Sequence, residues 1–222
     1  MKARNGLRLL YVIALITITN IRIEKKQEAD LVYIDSLWIY RTEVTNGMYA
    51  ECVNAGACGQ PCSSETNPRF WDADYVNHPV VYVTWQNAQD YCHWAGGRLP
   101  TEMEWEWAAR GDQDYAYPWG NDLPSGDLVN AGDMIGTTRM VGMYPDSASY
   151  YGALDMAGNV REWVDDWYDE GRRVLKGGSF SDNYEHVAID DRLPHDPDSA
   201  GYNRGFRDRK STRLNSSHES PS

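Results

Sequence analysis

The chain has 222 residues, enough for one domain with a substantial core, and its composition suggests no second domain. Its 33 acidic residues against 21 Lys and Arg give a net charge of -12, which opposes binding to nucleic-acid backbones and to anionic membrane surfaces. Nine Trp and fifteen Tyr stand against three Phe, so most large rings carry a polar edge that needs a hydrogen bond when buried; this favours a loop-rich core over a plain helical bundle.

Residues 1–30 open with Met1-Lys2-Ala3-Arg4 and run into an apolar stretch, Leu9–Ile18, the basic and hydrophobic parts of an export signal or anchor. The stretch is too short to span a bilayer comfortably. No small-x-small cleavage site follows it, and the alternative is a buried or mistranslated N-terminal strand. Leu31–Tyr40, LVYIDSLWIY, is rich in β-branched and aromatic residues and predicts a strand. Thr45 is placed to cap a helix over Gly47–Asn54, which Gly56 stops. Cys52, Cys58 and Cys62 share one small-residue loop, CVNAGACGQPC. Their spacing permits a local disulfide, Cys52 with Cys58, in an oxidising and therefore exported setting. Gly59–Asn77 reads as a surface loop and His78–Val83 as a short strand. Thr84 then caps a helix over Trp85–Ala95, with Trp85, Ala88, Tyr91 and Cys92 at helical spacing.

Gly96 and Gly97 close that helix, and Thr101 opens the next: Thr101 and Glu104 form the T-x-x-E capping box, and Gly111 ends the helix. Between Gly111 and Tyr150 regular pattern nearly vanishes, and so long an irregular run calls for a stabiliser. Val174–Phe180 predicts a late strand, and Gly205–Arg207 the start of a final one. From Arg209 onward, RKSTRLNSSHESPS has no apolar periodicity. Residues 208–222 are therefore expected to lie outside the domain, as a disordered polar tail or a sequencing-adapter read-through, leaving residues 31–207 as a domain with a truncated C-terminus.

Five ordered motifs stand out: WAGGRLPTEMEWEWAARG at Trp94–Gly111, YPWGN at Tyr117–Asn121, YGALDMAGNVREW at Tyr151–Trp163, LKGGSF at Leu175–Phe180 and NRGFR at Asn203–Arg207. Together they resemble the formylglycine-generating-enzyme (sulfatase-modifying factor) domain family. The resemblance implies an α+β fold of the C-type-lectin-like kind, low in regular structure and stapled by calcium. It places calcium at Asp155, Gly158, Val160 and Glu162. Read from the residues alone, two acids bracketing a Gly-Asn turn suit an oxygen-rich calcium shell, or are surface acids beside a turn. A second family site maps to Asn130 and Ala131, but Met134–Val141 contains no acid to complete it, and Asp133 is the substitute. The family also implies a partner for Cys92 directly after the GFR motif, where Asp208 stands here; the residue alone reads equally as a free buried thiol.

Active relatives oxidise the cysteine of a Cys-x-Pro-x-Arg segment to formylglycine, using oxygen at a copper held between two cysteines soon after the GGS strand. Asp182 and Val187 occupy those positions, and all four cysteines precede residue 93. No catalytic residue is assigned and no copper is expected, since thiolates are the ligands that suit Cu(I). His186 with Asp182, Glu185 and Asp190 offers ligands of the non-haem iron type, against the plainer reading of a solvated acidic face. Glu102, Glu104 and Glu106 alternate along a helix and so diverge. The expected function is that of a calcium-stabilised sulfatase-modifying-factor-like protein without the copper chemistry. The alternatives are a non-haem-metal oxidoreductase or protein-maturation enzyme on the same fold, or an exported carbohydrate- or peptide-binding module, with a protein or peptide ligand in a surface groove.

Overall fold

A computed structural model describes residues 30–62 and 69–211. The signal-or-anchor reading of the N-terminus and the sequence after Ser211 lie outside the described residues. The chain divides after Leu31 into two units, and among the described residues the second carries nearly all of the regular structure.

The predicted strand over Leu31–Tyr40 is instead a hairpin, β1 (Leu31–Ile34) and β2 (Leu37–Tyr40). Asp35 breaks it: its φ of 49° is the left-handed conformation that Asp tolerates, and Ser36 N–H turns back to the Ile34 carbonyl. Among the described residues three α-helices follow, α1 (Asn46–Asn54), α2 (Trp85–Trp94) and α3 (Glu102–Arg110), each preceded by a threonine that caps it. At α3 the reciprocal pair is complete, with Thr101 Oγ1 accepting from Glu104 N–H at 3.2 Å and Glu104 Oε2 accepting from Thr101 N–H at 2.9 Å. Gly111 ends α3 with a φ of 63°.

The main sheet has four strands, β3 (Arg161–Trp167), β4 (Arg173–Lys176), β5 (Leu193–His195) and β6 (Arg204–Gly205), in the order β5-β4-β3-β6. β3 and β4 form an antiparallel hairpin, and β6 lies parallel to β3. The late strand ends at Lys176, short of the predicted Phe180, because Gly177 and Gly178 turn the chain with φ of 86° and 69°. His78–Val83 makes no regular strand: Tyr82 has a φ of 60°, and the segment contributes one bridge, Thr45 to Pro79.

The expected boundary at residue 207 falls too early. Arg209–Ser211 forms β7, antiparallel to β2, with Ile39 opposite Arg209 and Leu37 opposite Ser211. Asp208 is buried, and Arg98 and Arg209 exchange backbone hydrogen bonds of 3.0 and 2.9 Å. Polar residues can form an edge strand through backbone bonds, which hydrophobic periodicity does not register.

One apolar cluster joins α1 and α2 to Trp163, Leu175 and Phe206; another joins the β1–β2 hairpin and α3 to Val164, Val174 and Ile189. The buried rings satisfy their polar edges as the composition requires. Trp163 Nε1 donates to the Val83 carbonyl at 3.1 Å, and Tyr49 Oη to the Gly59 carbonyl at 3.0 Å. The irregular stretch before β3 is held by a side chain. Asn159, buried with a φ of 58°, accepts from Arg139 N–H at 2.9 Å and Asn130 Nδ2 at 3.3 Å, while its own amide donates to Glu43 Oε2 at 3.3 Å.

Candidate functional site

Two polar centres flank the head of β3. The first lies where the family resemblance locates the copper cysteines. The Gly177–Gly178 turn drops Ser179–Asp182 beside the first residue of β3, and a Cβ on Gly178 would strike the His186 carbonyl. Arg161 is buried and bridges two carboxylates, Nε to Asp182 Oδ2 at 2.9 Å and Nη1 to Asp191 Oδ2 at 3.1 Å. Ser179 Oγ donates to Asp182 at 2.6 Å, and Asn203 Nδ2 donates to Ser181 Oγ at 3.0 Å. His186 Nδ1 stands 3.3 Å from Asp191 Oδ1.

The two positions mapped to the copper cysteines offer no thiolate. Asp182 is committed to Arg161 and Ser179, while Val187 is fully buried among Val129, Ala131 and Ala157. Cys52 and Cys58 are bonded to each other, Cys92 is buried and Cys62 is exposed, all of them on other segments. The iron-type set does not converge either. Asp182 goes to Arg161, Asp190 to Arg110 at 2.8 Å, and Glu185 lies 3.6 Å from His186. Among the described residues, no three His, Cys, Asp or Glu side chains meet closely enough to hold one metal ion.

Arg161, Asp191, Ser179 and Asn203 escaped the sequence reading. Their one local signal is Arg161 itself, a charge between Val160 and Glu162 in a buried strand, which demands a paired acid.

The second centre is the interior side of the Asp155–Glu162 motif. Glu162 is 1% exposed, and both its oxygens are taken. Oε1 accepts from Arg207 Nη2 at 2.6 Å, and Oε2 accepts from Arg207 Nε at 2.7 Å and Trp105 Nε1 at 2.8 Å. Asp155, also buried, accepts from Gly142 N–H at 2.6 Å, and burial raises its carboxyl to about 6. Glu43 is sealed from water with Oε1 unpartnered; burial first, then Asp155 and Glu162, push its carboxyl well above the usual range. Burial alone would lower Arg207, but Glu162 outweighs it and holds the guanidinium above its ordinary value.

Gly158 packs so closely that a Cβ would strike Val129 and the Asn130 carbonyl, and Val160 is buried. The residues present do not fit a calcium ion held through Glu162, because an arginine already uses both carboxylate oxygens. At the second mapped position, Asn130 Oδ1 is buried without a partner and so suits a cation, but Ala131 brings no side-chain oxygen and Asp133 is exposed in a turn. Glu102 and Glu106, one turn apart, do converge, on the buried Lys176 at 3.5 and 2.8 Å, whereas Glu104 turns away to Arg98.

The family model for the sulfatase-modifying factor enzyme 1-like domain matches residues 16–211, through the end of β7. The inactive C-alpha-formylglycine-generating enzyme 2 of Bos taurus is 40% identical over 153 residues, covering 60% of this chain and 50% of that protein. The formylglycine-generating enzyme of Thermomonospora curvata is 37% identical over 173 residues, covering 60% of this chain and 56% of that protein. The chain thus spans about half the length of these two relatives. Among solved structures, PvdO from Pseudomonas aeruginosa superposes with a TM-score of 0.66 at 22% identity over 79% of this chain and 80% of that one, a likeness of fold. The mixed α+β, C-type-lectin-like fold and the family match agree with the ordered motifs: the chain belongs to the sulfatase-modifying factor domain family, that of the formylglycine-generating enzymes.

Proposed function

We propose that this chain is a member of the family that has left copper oxidation behind and acts as an exported binding module for a protein or peptide segment. The observation that carries this reading is the state of the two cysteine positions: Asp182 is ion-paired to Arg161, and Val187 is a core residue. Neither offers a soft ligand to Cu(I). In their place stands a hydrogen-bonding surface of Ser181, Asn203, Asp182 and the half-exposed His186, suited to polar peptide groups. A relative named as inactive, at 40% identity, is consistent with the same loss. The Cys52–Cys58 bond supports an oxidising compartment.

The test is incubation of a Cys-x-Pro-x-Arg peptide with the protein, Cu(I) and oxygen, read by mass spectrometry and by an aldehyde-reactive probe. No conversion above a protein-free control is expected. Copper-dependent turnover would refute the loss of oxidation.

A further inference from the structure

We infer that Arg207 is the resident cation of this domain, its guanidinium standing at Glu162 in place of a calcium ion. The argument is the ligand set. Every N–H of the guanidinium has an oxygen partner: Nε and one Nη2 proton on Glu162, the other Nη2 proton on the Leu154 carbonyl at 3.0 Å, and Nη1 on the Tyr40 and Arg41 carbonyls at 3.1 and 3.3 Å. One bidentate carboxylate and three backbone carbonyls from two stretches of chain are the kind of oxygen set that a hard divalent cation gathers in an irregular loop. Here the gathering is done by a side chain with five fixed donors.

Two further observations bear on the exchange. Both partners are sealed from water, with Arg207 at 0% and Glu162 at 1% side-chain exposure, so the pair is not a surface ornament. Trp105 Nε1 occupies the remaining lone pair of Glu162 Oε2 at 2.8 Å, so three of the carboxylate's four acceptor sites are filled. Arg207 joins the hairpin end at Tyr40–Arg41, the loop at Leu154 and strand β3. A bound ion would stabilise by mass action and could be stripped by chelation; a covalently attached guanidinium cannot. The core around Glu162 is therefore held without a calcium ion.

Thermal melts of the whole chain in excess calcium and in excess EDTA test this directly. Terbium is titrated in parallel as a calcium mimic whose emission the indole of Trp105 would sensitise. Superimposable melts and no calcium-competed terbium emission are expected. A calcium-dependent rise in Tm, or terbium emission that calcium displaces, overturns the inference. A second arm compares Arg207→Met, Glu162→Gln and the double variant. Each single change strands one buried charge, so the double variant should melt above both singles, or fold where they do not. A double variant no more stable than the weaker single overturns the assignment of Arg207 as the charge partner.

Discussion

The thiol of Cys92 and the carboxylate of Asp208 are electrostatically coupled neighbours, and both side chains are sealed from water between α2 and the lead-in to β7. Burial pushes the Cys92 thiol well up, with Asp208 adding to it, so the thiol stays protonated and unreactive. Burial likewise raises Asp208 to about 6, although Lys210 Nζ sits 2.6 Å from its Oδ2. The family resemblance looks for a cysteine at this position. The structure does bring position 208 onto Cys92, but with an acid there.

Asp208 has a definite pH signature. Its folded value of about 6 lies above its ordinary 3.8, so the folded state holds the proton more tightly than the unfolded chain does. That contribution is complete below about pH 4 and disappears as pH rises through about 6, an effect of at most about 3 kcal/mol. Asp208→Asn is neutral throughout. It should raise Tm by several degrees at about pH 8, with the gain vanishing by about pH 4. His78 and His195, held low by burial, have the opposite slope but are common to both proteins and cancel in the difference. A gain that is the same at both pH values would show that the carboxyl does not titrate as described.

The end of the domain can be located by comparing two shortened chains, one stopping at Arg207 and one at Ser211. The shorter lacks β7, the bond from Tyr40 N–H to the Asp208 carbonyl and the Arg98–Arg209 pair. At about 1 kcal/mol for each backbone hydrogen bond, several kcal/mol are lost, and the shorter chain should melt well below the longer or fail to accumulate. Equal melting temperatures would mean that β7 contributes nothing and that the domain does end at residue 207.

Reduction should weaken the protein through Cys52–Cys58 alone. The bond closes a loop of sequence separation 6 at the end of α1, for which chain-entropy reasoning gives about 2 kcal/mol. Reductant is expected to lower the wild-type Tm by several degrees and leave Cys52→Ala/Cys58→Ala unchanged. Equal sensitivity in both proteins would assign the effect to something other than this bond.

The helices were legible because their determinants are local: Thr45, Thr84 and Thr101 each bond a backbone group three residues on, and Gly111 ends α3 by its own conformation. The hairpin at Asp35 and the strand β7 were not, since a two-residue turn inside an apolar run and a polar strand paired through its backbone leave no periodic trace. At the candidate site, the GNVREW motif is legible in the sequence, but the partners of its charged residues are not. Glu162 looks like a free acid until Arg207, 45 residues later, is known to face it, and the acids beside Arg161 sit 21 and 30 residues downstream. That Asp182 and Val187 stand at the mapped cysteine positions, by contrast, is read directly from the sequence.

The reach of Arg207 also orders events during synthesis. Its donors close on carbonyls 166 and 167 residues earlier, and Glu43, Asp155 and Glu162 all leave the ribosome before it. Until Arg207 emerges, collapse around β2 and β3 would bury three carboxyls with no guanidinium among them, so the nascent chain has reason to wait. The pairing of these carboxyls is thus a late, long-range closure, of the kind that is entropically costly and slow to form.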